Sequence, residues 1–210
     1  NRAVTGNGGG SLVEHAFAAF ENSTFERNEG VWGGGAFLEL GTGTFQNVSF
    51  VRNNGTNLGG GLSSRNGTST VTNCDFLSNT SPIGGAVFFG VQSNSTVRSS
   101  RFVSNTASTS GGTVGLSGSA LLSASDSVIT LSSAAESGGC IYLTAGLLAL
   151  QNVNVSSCNV ALDGGGVAAY DRSAVVVVDS IFTMNSAERQ GGGFAIMNSA
   201  LLLTNITVSS

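Results

Sequence analysis

The chain has 210 residues, with 31 glycines, one proline, 40% hydrophobic and 10% charged residues. Lysine is absent, and 8 arginines face 12 acids for a net charge of −4, which argues against nucleic acid as a partner. The apolar fraction excludes wholesale disorder, the scarcity of helix formers excludes long helices, and the near absence of proline excludes collagen. No apolar run approaches the ~18 residues that cross a bilayer, so no membrane insertion is expected. With no Met start and no signal peptide, the chain is expected to be a mature product or an excerpt of something longer.

Taken in chain order, glycine clusters fall at Gly8, Gly33, Gly59, Gly84, Gly111, Gly138, Gly164 and Gly191, spaced by 25 to 27 residues. A short apolar run follows each. A ladder of large apolar residues keeps the same period: Phe25, Phe50, Phe76, Phe102, Ile129, Val155, Phe182 and Val208. Five residues earlier stand Phe20, Phe45, Val71, Val97, Ala124, Leu150, Val177 and Leu203. Three earlier stand Asn22, Asn47, Asn73, Ser99, Asp126, Asn152, Asp179 and Asn205. Three later stand Asn28, Asn53, Asn79, Asn105, Ser132, Cys158 and Asn185.

A helical repeat would need apolar residues at i, i+3, i+4 and i+7 over longer stretches. These runs are short, β-branched or aromatic, and punctuated by Gly, Asn and Ser, which are strand and turn signals. The period is too short for a propeller blade, and the leucine-rich consensus is missing. The remaining solution is an all-β, single-chain parallel β-helix: one domain over 1–210, about eight coils of 25–27 residues. Each coil is expected to hold about three short strands, and strand spacing gives a rod of about 38 Å. Stacked Phe, Ile and Val fill the bore, while stacked Asn side chains bond amide to amide at corners. Segments of varying length, Gly90 to Ser95, Gly115 to Ser119 and Tyr170 to Ser173, are expected to project as loops.

Phe25–Asn28, Phe50–Asn53, Phe76–Asn79, Phe102–Asn105 and Phe182–Asn185 share a Phe-x-x-Asn pattern. Gly34-Gly35-Ala36-Phe37 and Gly84-Gly85-Ala86-Val87 supply a Gly-Gly-Ala-aliphatic or aromatic partner, with Gly138-Gly139-Cys140-Ile141 a near match. This pairing resembles the repeat of chlamydial polymorphic outer-membrane proteins over nearly the whole chain. The resemblance implies a right-handed parallel β-helix of the pectate-lyase-like superfold and a surface-exposed adhesin passenger. Ile129/Ser132 and Val155/Cys158 depart from the pattern.

Pectate-lyase-like chemistry would need clustered carboxylates with a basic clamp. The best local group is Asp163, Asp171, Arg172 and Asp179, although Asp179 falls in a corner column and Asp171-Arg172 reads as a solvated pair. Glu26, Arg27 and Glu29 read as a solvated face. His15 is the one histidine, so a histidine-based triad or metal cluster is excluded, and no cofactor is expected. Cys140 and Cys158 are a candidate disulfide, 18 residues apart, while Cys74 is expected to be free and buried.

Sequons occur at Asn22, Asn47, Asn54, Asn66, Asn79, Asn94, Asn154 and Asn205. Asn66 and Asn94, in expected loops, are the best glycosylation candidates, with Asn54 next; the corner positions of Asn22, Asn47 and Asn205 count against them. Thr42/Thr44 and Thr68/Thr70 nearly make an ice-binding strip, but Ser93 to Thr96 interrupts it. Neither end shows a polar cap, so partners are expected to be further coils or other subunits, and surface glycans. The sequence therefore favours a non-enzymatic extracellular or cell-surface scaffold, with a polysaccharide-binding or polysaccharide-cleaving domain as the alternative.

Overall fold

The computed structural model describes residues 1–210 as short strands joined by bends, turns and irregular segments, with no helix. The strands stack into four parallel sheets. The first begins with Ser11–Glu14, the second with Phe17–Glu21 and the third with Thr24–Glu26, and each has 8 strands. The fourth begins with Glu29–Trp32 and has 7. Every strand pairs with its equivalents one repeat away, as Phe25↔Phe50, Phe50↔Phe76 and Phe76↔Phe102 show. The object is a parallel β-solenoid of about eight coils.

Three strands per coil were expected and four are found. The unforeseen sheet holds strands such as Asn54–Leu58 and Thr106–Ser110, and shrinks to pairs such as Ser133–Ala134. It has few large apolar residues, and its register shifts between Ser81 and Ile83. Neither strand alternation nor an apolar run marks it.

Four corners close each coil, and each turns on left-handed backbone. The fourth-to-first corner uses only glycine; at Gly33 (φ 62) a Cβ would overlap the Ala36 carbonyl oxygen. The second-to-third corner uses the Asn, Asp and Ser column, from Asn22 (φ 48) to Asn205 (φ 49), residue types that tolerate this region. The third-to-fourth corner uses Arg27, Arg52, Ser78, Ser104, Leu131, Ser157 and Met184, each bent without glycine's help.

The first-to-second corner corrects the loop expectation. Short corners use one such residue: Leu40, Asn66 or Ala145. The longer segments use two in succession, Val91/Gln92, Gly118/Ser119 and Asp171/Arg172. The added residue is taken up as a second left-handed step, so these segments stay tight and do not project.

The bore is one apolar cluster of 34 buried residues. Phe25, Phe50, Phe76 and Phe102 stack face to face, with centroids 5.0, 4.6 and 4.7 Å apart. Across from this ladder runs the column Gly10, Gly35, Gly61, Ala86, Thr113, Cys140 and Gly166. A Cβ at Gly10, Gly35, Gly61 or Gly166 would lie 2.8, 2.8, 3.0 or 3.1 Å from Cδ1 of Phe25, Phe50, Phe76 or Phe182. Where the ladder narrows to Ile129 and Val155, the facing column widens to Thr113 and Cys140. The two departures from Phe-x-x-Asn are thus compensated within their own coils, as close packing demands.

Inward residues of the last coil are open to solvent, with Leu201 37%, Leu203 37% and Val208 51% exposed. No helix is long and apolar enough to cross a membrane.

Candidate functional site

The polar side chains form columns before they form any pocket. Asn53, Asn79 and Asn105 are fully buried, and Asn28 nearly so. Asn53 Nδ2 donates to Asn79 Oδ1 at 3.1 Å and to the Phe25 carbonyl at 2.8 Å. Asn79 Nδ2 repeats this with Asn105 Oδ1 at 3.1 Å and the Phe50 carbonyl at 2.9 Å. The oxygen also accepts the backbone N–H of the preceding coil's Asn, 2.9 Å from Asn53 N to Asn79 Oδ1. Every donor and acceptor of Asn79 is therefore used, which is what makes a buried amide tolerable.

A second amide column lies on the surface. Asn73 Nδ2 donates to Asn47 Oδ1 (2.7 Å), and Asn47 Nδ2 to Asn22 Oδ1 (3.0 Å). Asn152 donates to Asp126 (2.8 Å) and Asn205 to Asp179 (2.6 Å) in the same sense.

Cys140 and Cys158 are joined, with Cα atoms 5.4 Å apart. Cys74 is free and buried. It stands in a column with Ser100 and Ser127 and acts like them: its backbone N–H donates to Ser100 Oγ, and its sulfur contacts the Phe45 and Thr72 carbonyls at 3.4 and 3.3 Å. Burial pushes its thiol pKa up, so the reactive thiolate is disfavoured.

The acidic group expected at Asp163, Asp171, Arg172 and Asp179 is not brought together. Asp171 and Arg172 turn the first-to-second corner, and Asp179 turns the second-to-third. Asp163 stands in the column Ser110, Ser137, Asp163 and Gln190, beside the glycine corner. It is buried, with 1% of its side chain exposed. Arg189 holds it in a two-pronged pair, Nε to Oδ1 at 2.9 Å and Nη2 to Oδ2. Tyr170 OH donates to Oδ2 at 3.3 Å and pairs with Ser137 Oγ at 3.1 Å. The Arg189 hydrogen bonds hold the Asp163 carboxyl below its usual range against the cost of burial, and burial raises the Tyr170 hydroxyl. Arg189 was not singled out from the sequence, yet it lies one period, 26 residues, beyond Asp163.

Asp171 accepts only from Thr144 Oγ1, at 3.2 Å. Glu26 and Arg27 form a surface pair at 3.6 Å, and Glu29 pairs with Arg2 at 3.0 Å. His15 is an exposed corner residue. No group of three or more His, Cys, Asp or Glu side chains converges.

Asn94 is exposed, but as the first residue of the strand Asn94–Arg98 and not in a loop. Asn66 is a half-buried corner residue (φ 50). Asn54 is half-buried at the start of Asn54–Leu58, with its amide oxygen accepting from Thr80 Oγ1 at 3.1 Å. The Thr strip runs one coil further than expected: Thr44, Thr70 and Thr96 are Cα partners, followed by Ser123. The parallel column passes from Thr68 to Asn94 and Leu121 and loses its hydroxyl.

No protein-family model, curated protein or solved structure matches the chain.

Proposed function

We propose that this chain is a rigid, non-enzymatic scaffold of an extracellular or cell-surface structure, of the kind its Phe-x-x-Asn and Gly-Gly-Ala repeats resemble. The observation that carries this reading is where the polar side chains go. The side chains of Asn79, Asn105, Ser100 and Asp163 each bond to a neighbouring coil. The best-paired carboxylate, Asp163, has its two oxygens taken by Arg189 and Tyr170. A chain that uses its chemistry for axial continuity suits a spacer or adhesion stalk.

Antibody labelling of intact and permeabilised cells of the native source tests this. Labelling of intact cells is expected, and labelling that needs permeabilisation overturns the reading. Release of new reducing ends from a polysaccharide panel by the purified chain, abolished by Asp163→Asn, would establish the enzymatic alternative instead.

A further inference from the structure

Six of the eight sequons divide by exposure and by the bonding of their amide nitrogen once the coils are formed, while Asn54 and Asn66 are half-buried and fall between. N-glycosylation places a sugar on Nδ2 of the asparagine amide, so an acceptor needs both exposure and a free nitrogen. Asn79 has neither: it is fully buried, and its Nδ2 serves Phe50 O and Asn105 Oδ1. Asn47 and Asn205 are exposed, but each Nδ2 already donates along the surface amide column. Asn22, Asn94 and Asn154 are exposed, and in each the Nδ2 makes no hydrogen bond within the chain.

Their places in the fold are also compatible with one another. Asn22 turns the second-to-third corner of the first coil. Asn94 opens the fourth strand of the second sheet, and Asn154 opens the sixth strand of the third. At ~4.8 Å per coil the successive sites are about 14 and 10 Å apart along the axis. By contrast, stacked Asn22 and Asn47 are one coil apart, with amides in contact at 3.0 Å, leaving no room for two sugars side by side.

We infer that this chain carries N-glycans at Asn22, Asn94 and Asn154, on its second- and third-sheet side, and none at Asn79. The inference rests on the extracellular reading for its setting and on the fold for its choice of sites. The first sheet's outer face, with Tyr142 and Tyr170, bears no sequon and stays bare.

Site-resolved mass spectrometry of the full chain, secreted from an N-glycosylating eukaryotic host, tests it. The expected result is sugar at Asn22, Asn94 and Asn154, lower occupancy at Asn47 and Asn205, and bare Asn79. Asn94→Gln and Asn154→Gln should each remove one glycan mass and leave the secreted yield unchanged. A bare Asn22, Asn94 or Asn154, or a sugar on Asn79, overturns the inference. If the recombinant pattern is as expected while native-source protein carries no sugar, the extracellular reading fails and the choice of acceptors stands.

Discussion

Thr113 Oγ1 donates to Ser132 Oγ at 2.8 Å, and one coil later the same two columns are bridged covalently by Cys140 and Cys158. In the outer coils the corresponding pairs are Gly with Asn, as in Gly35 and Asn53. The disulfide therefore occupies a site whose contents are set by the width of the neighbouring ladder residue.

Removing the bridge should cost stability without unfolding the rod. The paired change Cys140→Thr with Cys158→Ser copies the preceding coil and should lower stability by about 3 kcal/mol, the loop-entropy value for an 18-residue separation. Chemical denaturation of both forms measures it. No change in midpoint would mean that the polar pair replaces the bridge fully.

The packing rule between the facing columns can be read by a double-mutant cycle. Gly61→Thr should destabilise by about 2 kcal/mol because its Cβ would lie 2.9 Å from the Ala86 carbonyl oxygen and 3.0 Å from the Phe76 ring, and Phe76→Ile should cost about 1–2 kcal/mol. Together they copy Thr113 and Ile129, and the double variant should be more stable than the sum by about 1 kcal/mol. Strict additivity would show that the two columns do not sense one another.

The two amide columns should differ in worth. Asn79→Ala strands the Asn53 donors and the Phe50 carbonyl in the bore, so a loss of about 3 kcal/mol is expected. Asn47→Ala breaks exposed bonds that water replaces, and should cost less than about 1 kcal/mol. Equal losses, measured by thermal unfolding, would contradict the assigned burial.

Asp163 should give acid sensitivity. Its folded carboxyl titrates below the unfolded value, so its stabilisation is complete above the ordinary carboxylate range. That stabilisation is lost as pH falls below about 4 toward the folded pKa. Arg189→Met leaves a buried carboxylate with Tyr170 alone, and should destabilise more at pH 7 than at pH 3. A penalty that does not shrink on acidification would remove the carboxylate from the explanation.

Much of this was legible because a solenoid turns sequence period directly into contact. Phe25, Phe50 and Phe76 could be placed in one stack, and Asn53 beside Asn79, from spacing alone. What was hidden lacked a period or hydrophobic contrast. The fourth sheet is written in Thr, Ser and Asn, the same residues that write turns. Gly90 to Ser95 was read as a loop because length variation looks alike whether a chain bulges outward or takes a second left-handed step, as Val91 and Gln92 do. Asp163 was grouped with Asp171, its neighbour along the chain, and not with Arg189, its neighbour along the axis.

The strands lie across the rod, so tension applied along its axis is shared among the strand pairs at each coil junction. Fourth-sheet strands in the first half are four or five residues long and pair along that length with shifted register, as in Glu29↔Asn54 through Trp32↔Leu58. From Ser133–Ala134 onward that sheet contributes two residues per junction. The disulfide gives no help there, because Cys140 and Cys158 lie within one turn of the chain and bridge no junction. Under pulling, the rod is built to part in its C-terminal half, where the ion pair of Asp163 and Arg189 spans a junction that its thin fourth sheet leaves weak.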